Sequence, residues 1–315
     1  MTHDVNQNVS ICIFGSSARA TDDALSDRDV LIVAEDLSEI RPIISKWTES
    51  GWSVSCYSRT RFQNVANAGS LFVKHLQLEG RIVVDQSGWL AASLAQYNPK
   101  RSYTKELSEA LDLSLPLERL MGSNALAEPA LVADIGYVFL RNYAIYRCAQ
   151  EMLYVFDYAS LLEELQAIEG FSNKCREQLL SLRIGKHIFR SGYAALRDMS
   201  HLRCATDWIE EACSNLHLKE IAVGTPIRSL STPYATLRDC EAALKVLGIS
   251  PHNSDPLFTH LKMAWKMIES PKDYSWHLSK VDDVWVSKIN AAIGRLNLPH
   301  AQHQVIRYGL GRTLG

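Results

Sequence analysis

Two short apolar runs flank a small polar segment near the start of the chain, and no other feature restricts the fold as much. The segment Ile11–Val33 reads ICIFGSSARATDDALSDRDVLIV. Its first run, Ile11-Cys12-Ile13-Phe14, stops at Gly15-Ser16-Ser17. Ten residues separate Ser16 from Asp27-Arg28-Asp29, which lead into Val30-Leu31-Ile32-Val33. Both runs are rich in β-branched residues and bounded by glycine or polar residues, so both predict buried strands. Side chains two apart on a strand share a face, so Asp27 and Asp29 are expected to point the same way. Adjacent carboxylates repel unless a cation lies between them. A hard divalent ion such as Mg2+ takes oxygen ligands and keeps positions open for phosphate. Gly15 lets the backbone approach a phosphate closely, and Ser16 or Ser17 can cap a short helix starting near Ala18. The free N–H groups of that helix attract an anion. The expected product is a cradle for a metal-bound triphosphate.

This order of strand, Gly-Ser turn, short helix and Asp-x-Asp strand resembles the signature of the DNA polymerase β-like nucleotidyltransferase superfamily. The resemblance spans roughly the first ninety residues. It implies an α+β protein with a small mixed-sheet nucleotidyltransferase domain, residues 1–98, followed by an all-helical domain, residues 99–315. It also implies that Gly15, Ser16 and Ser17 hold a nucleoside triphosphate, with ATP the favoured one, while Asp27 and Asp29 bind Mg2+. A nucleoside monophosphate would then pass to a hydroxyl of RNA, a protein, a small molecule or a second nucleotide. The helical domain would close one wall of the cleft.

Further along, Ser38 to Ser50 predicts a helix and Trp52 to Ser58 a third strand. A helical stretch around Phe62 to Ala68 precedes a helix from Ser70 to Glu79, and Arg81 to Val84 predicts a fourth strand. The run from Gly69 to Gly80, which holds Lys74-His75-Leu76, resembles the segment after the catalytic strands in some bacterial nucleotidyltransferases. From about residue 100 the apolar period becomes helical. Helices are expected over 129–155, 158–168, 173–195, 206–216, 233–247, 255–268 and 282–296.

In the resembled superfamily a third carboxylate comes from the strand after Asp-x-Asp. Here that strand has none, and Ser53 and Ser55 stand at the expected positions. Asp85, closing the fourth strand, is the nearest substitute; a plain turn residue is the other reading. Arg19 is placed to reach phosphate oxygens or to be a solvated helix residue. Arg28 should face away from Asp29 and pair with an acid. Phe171 to Arg203 carries seven basic residues against two acids, and Arg183, Lys186, His187 and Arg190 share one helical face. Lys186 and Arg190 are therefore expected either to contact triphosphate or an RNA backbone, or to pair internally with the acidic stretch Glu151 to Gly170. Arg141 is a further candidate. Arg295 and His300 follow a loose ribonuclease pattern that Pro299 breaks.

The net charge of −2 exerts no global pull on nucleic acid, so such binding needs a local patch. Seven cysteines lie singly with no C-x-x-C pair, the pattern of reduced, buried thiols. No stretch reaches the length of a membrane span, and the N-terminus has no apolar signal core. A cytoplasmic protein with no membrane partner is expected. The other class that the sequence permits keeps the fold and loses the chemistry. That protein would be a nucleotide-binding regulator, partner to a toxin or defence effector.

Overall fold

The computed structural model describes residues 9–21, 27–121, 129–190, 211, 221–222, 224–249, 261–262, 264–265 and 278–295. In chain order the first elements are β1 (Val9–Phe14), α1 (Ser16–Arg19), β2 (Asp29–Ala34), α2 (Arg41–Glu49), β3 (Ser53–Ser58), α3 (Arg59–Asn67), α4 (Leu71–Glu79), β4 (Arg81–Asp85) and α5 (Trp89–Gln96). They are followed by α6 (Thr104–Leu111), α7 (Ser114–Met121), α8 (Pro129–Gln150), α9 (Tyr158–Glu169), α10 (Asn173–Arg190) and α11 (Pro233–Val246). A 3-10 turn, Leu278–Lys280, precedes α12, which covers 283–295.

The four strands form one mixed sheet in the order β3-β2-β1-β4. β1 runs antiparallel to both neighbours, and β2 and β3 run parallel. A parallel pair needs a crossover, which α2 supplies. Strand alternation sorts the side chains onto two faces. On one face Val9, Ile11, Ile13, Val30, Ile32 and Ala34 pack with Ile40 and the apolar side of α2. The other carries Cys12, Phe14, Leu31 and Val33, covered by Phe62 of α3, Val73 and Leu76 of α4, and Leu90 and Leu94 of α5. Gly80 joins α4 to β4 where a Cβ would come within 2.8 Å of Cys12 Sγ, so a larger residue there would push the helix off the sheet. The architecture is α+β, with a small mixed sheet and mostly helices.

The chain forms two compact units. The first comprises Met1–Leu107 with Arg141–Gly170, and the second Ser108–Leu140 with Phe171–Gly315. The run of α8 therefore contributes to both. The apolar stripe predicts α8 as far as Val155, but it ends at Gln150, and Met152 follows with a left-handed φ of 60°. Asp157 then caps α9 by accepting from the Ser160 N–H at 3.0 Å. The helix expected over 173–195 is α10 up to Arg190; residues 191–195, and nearly all of 206–216 and 255–268, lie outside the described residues. Arg295 is the last described residue of α12, and His300 lies outside the described residues.

The second unit has an apolar core of Leu237, Cys240, Leu244, Leu261, Trp265, Trp285 and Ile289. It also buries charge. Arg119 donates to both oxygens of Asp239 at 2.8 and 3.0 Å and to the Thr225 carbonyl oxygen at 2.7 Å. Asp134, fully buried on α8, pairs with Arg190 of α10 at 2.8 Å and Arg238 of α11 at 2.7 Å. Arg238 reaches Glu241 at 3.2 Å. Each of these clusters balances cation against anion, which is the condition for keeping charge in a dry interior.

Candidate functional site

The site lies in the first unit, where β1 ends and β2 begins. Phe14, the last residue of β1, is the register partner of Asp29, the first of β2, and Asp29 in turn pairs with Ser53 on β3. Gly15 follows with φ 70° and ψ −149°, a conformation that side chains disfavour. A Cβ at Gly15 would stand 3.6 Å from Asp29 Oδ2, so the bare glycine backbone runs alongside that carboxylate.

α1 is a single turn. The Ala18 and Arg19 N–H groups both donate to the Gly15 carbonyl oxygen, at 3.1 and 3.3 Å. The N–H groups of Ser16 and Ser17 precede any intrahelical bond. Neither serine caps α1 through its side chain: Gly15 is the N-cap, with no side-chain hydrogen bond. Ser17 Oγ is enclosed and has no hydrogen-bond partner among the described residues.

Asp27 and Arg28 are exposed and Asp29 is half-buried. Burial pushes the Asp29 carboxyl above the ordinary carboxylate range, and the Asp27 charge pushes it the same way. The nearby Ser53, Arg141 and His75 side chains offset this only in part. The two carboxylates are thus close enough to repel. Asp27 precedes the strand instead of belonging to it. Among the described residues Arg28 has no acid partner. Its guanidinium carbon lies 4.3 Å from the centroid of the Trp52 ring.

Arg19 is held inside the unit. It forms ion pairs with Glu79 of α4 and, at 3.2 Å, with Asp157 ahead of α9. Glu79 also accepts from His75 Nε2 at 2.9 Å. Burial alone would raise the Glu79 carboxyl, but His75 and Arg19 outweigh it and hold the group below its usual range. His75 is buried, edge-on to Phe14 at 5.5 Å and stacked on Phe156 at 4.4 Å.

Other residues singled out from the sequence lie elsewhere. Asp85 pairs in register with Ser10, four residues before Phe14, so it stands ~13 Å along the strand from the Gly15 turn. It accepts from Ser10 Oγ at 2.7 Å and from the Ala91 N–H at 2.9 Å, tying α5 to the sheet. Asp85 is therefore not the third carboxylate, because the antiparallel register carries it away from Asp29. Lys186 and Arg190 belong to the second unit. The Lys186 ammonium lies 4.9 Å from the Tyr137 ring centroid, and Arg190 serves Asp134. The acidic stretch suggested for them instead pairs with Arg147, through Glu151 and Glu169, and with Arg19, through Asp157.

His75, Glu79 and the Arg141 charge on Asp29 complete the group. The spacing of His75 and Glu79, one helical turn apart, was the available sequence signal. Among the described residues no cluster of three or more His, Cys, Asp or Glu side chains forms a metal site, and no helix is long and apolar enough to cross a membrane. No family model matches the chain, and no curated protein or solved structure matches it either.

Proposed function

We propose that the first unit binds a magnesium-bound nucleoside triphosphate, ATP above others, and transfers its nucleoside monophosphate to a hydroxyl, as in the DNA polymerase β-like nucleotidyltransferases. The observation that carries this reading is the Gly15 turn beside Asp29. There a bare backbone, two serine N–H groups and a carboxylate meet at one strand end. Three features fit a metal-bound triphosphate: a cradle that a Cβ would narrow, the Ser17 Oγ with no partner among the described residues, and the repulsion between Asp27 and Asp29 that a cation would relieve. Asp27 and Asp29 would hold the metal, which supplies charge neutralisation of the triphosphate. Gly15, Ser16 and Ser17 would orient the phosphates.

Calorimetry with Mg2+ and a non-hydrolysable ATP analogue tests the binding, and transfer of an α-phosphate label tests the reaction. Binding that persists unchanged in Asp29→Asn would refute the assignment. The acceptor belongs to the same proposal; RNA, protein and small-molecule hydroxyls are tried in parallel.

One observation favours a second reading, binding without transfer. Ser53 stands beside Asp29 where the superfamily's third carboxylate is expected, and a hydroxyl brings no charge to a second metal. A nucleotide-binding regulator, acting with a toxin or defence effector, would then bind Mg2+–ATP tightly and release no pyrophosphate.

A further inference from the structure

We propose that His75 is the general base of the transfer reaction, positioned by Glu79, and that it takes over the proton-accepting task for which β3 supplies no acid. This rests on the nucleotidyl-transfer reading above. The ring is held on three sides: Phe156 stacks on its face at 4.4 Å, Phe14 meets it edge-on at 5.5 Å, and Glu79 takes Nε2 at 2.9 Å. Phe14 is the residue before the Gly15 turn and the register partner of Asp29, so the imidazole packs against the strand end that forms the cradle.

Glu79 is ion-paired with Arg19, which holds it as a carboxylate, and an ionised carboxylate only accepts. Nε2 then donates to Glu79, and Nδ1 is the ring nitrogen left to take a proton from an acceptor. Among the described residues Nδ1 has no hydrogen-bond partner. A carboxylate that orients a histidine while its other nitrogen stays open is the arrangement of a base, and Arg19 pairs with the same Glu79 oxygen, Oε2, and so fixes it in place.

In the step, the acceptor O–H gives its proton to Nδ1 while its oxygen bonds to the α-phosphorus. The bond from that phosphorus to the bridging oxygen breaks, and pyrophosphate leaves with the electron pair. The imidazolium then returns its proton to solvent.

Among the described residues Glu79, on the same helix, touches His75, and Asp29 on β2 lies within electrostatic reach of it. Arg19 on α1 pairs with Glu79, Asp157 before α9 pairs with Arg19, and Arg141 on α8 acts on Asp29. The test uses the full chain with Mg2+–ATP as probe and water as acceptor, following pyrophosphate release across pH. The expected result for His75→Gln is a loss of at least about 100-fold in release at saturating Mg2+–ATP. One ionisation should disappear from the pH profile, and added imidazole should restore part of the rate in His75→Ala.

Unchanged release in His75→Gln overturns the base assignment and leaves nucleotidyl transfer standing. A wild type that binds Mg2+–ATP and releases no pyrophosphate overturns it in favour of binding alone. A wild type that binds no Mg2+–ATP removes the parent reading and this one together. Should the variants fail to fold, nitrogen-15 spectra of the wild type decide. A neutral ring protonated at Nε2 is expected, and one protonated at Nδ1 overturns the proposal.

Discussion

Asp29 on β2 and Ser53 on β3 are register partners in a parallel pair, and the serine hydroxyl favours the ionised carboxylate beside it. That single hydroxyl partly offsets the burial and the Asp27 charge that disfavour ionised Asp29. Ionised Asp29 therefore stands at a net electrostatic cost in this fold.

Replacing Asp29 with Asn should raise the melting temperature at pH 7 and abolish Mg2+-dependent ATP binding. The sign follows from the shift. A carboxyl whose folded pKa lies above its unfolded value favours folding at acid pH, and that contribution is lost as pH rises through the folded pKa. The neutral amide removes the loss and keeps an acceptor for Ser53. Scanning fluorimetry and calorimetry on one sample would check both effects.

Ser53→Asp places a third acid beside the first two. Without Mg2+ it should lower the melting temperature, because three carboxylates then crowd one strand end. With Mg2+ and ATP it should recover stability and raise pyrophosphate release by about tenfold or more, equivalent to ~1.4 kcal/mol of barrier. A rate no higher than wild type would show that charge at this position is not limiting.

In the second unit, Arg190→Glu should cost about 3 kcal/mol or more, because Asp134 is fully buried and would lose one of its two cations and face a like charge. Affinity for Mg2+–ATP should stay at the wild-type value, since Arg190 is committed to Asp134. Urea unfolding read beside nucleotide binding separates the two effects. A loss of affinity without a loss of stability would return Arg190 to the nucleotide.

Acid should weaken the first unit partly through Glu79. Its folded pKa lies below the ordinary carboxylate value, so the stability it contributes is present at neutral pH and lost as pH falls through that depressed pKa. Glu79→Gln should accordingly be less stable than wild type at pH 7 and lose less on acidification to pH 3. Parallel slopes for the two proteins would assign the acid sensitivity elsewhere.

Burial pushes the Cys12, Cys148 and Cys175 thiols up to about 12, so none supplies appreciable thiolate at pH 8. Native protein treated with iodoacetamide should remain unmodified at these three positions, and unfolding in urea should expose all three. Peptide mass spectrometry reads the outcome directly.

The sequence by itself determined the local elements around the site. Apolar runs ending at Gly15 and starting at Asp29 define β1 and β2, and the alternation in Trp52 to Ser58 defines β3. These signals are legible because strand pleat and glycine freedom act over a few residues. The sequence also placed a serine, not an acid, in β3. Tertiary structure decided the partners. The residues Asp85 and Glu79 lie six apart near one sheet edge, yet the β1–β4 register sends Asp85 to Ser10 while the end of α4 brings Glu79 to Arg19. Likewise a basic stripe on α10 reads the same whether it meets phosphate or protein, and only packing against α8 joined Arg190 to Asp134. Spacing along a helix specifies which side chains share a face, whereas what lies opposite that face depends on contacts between residues far apart in the chain, which no local pattern encodes.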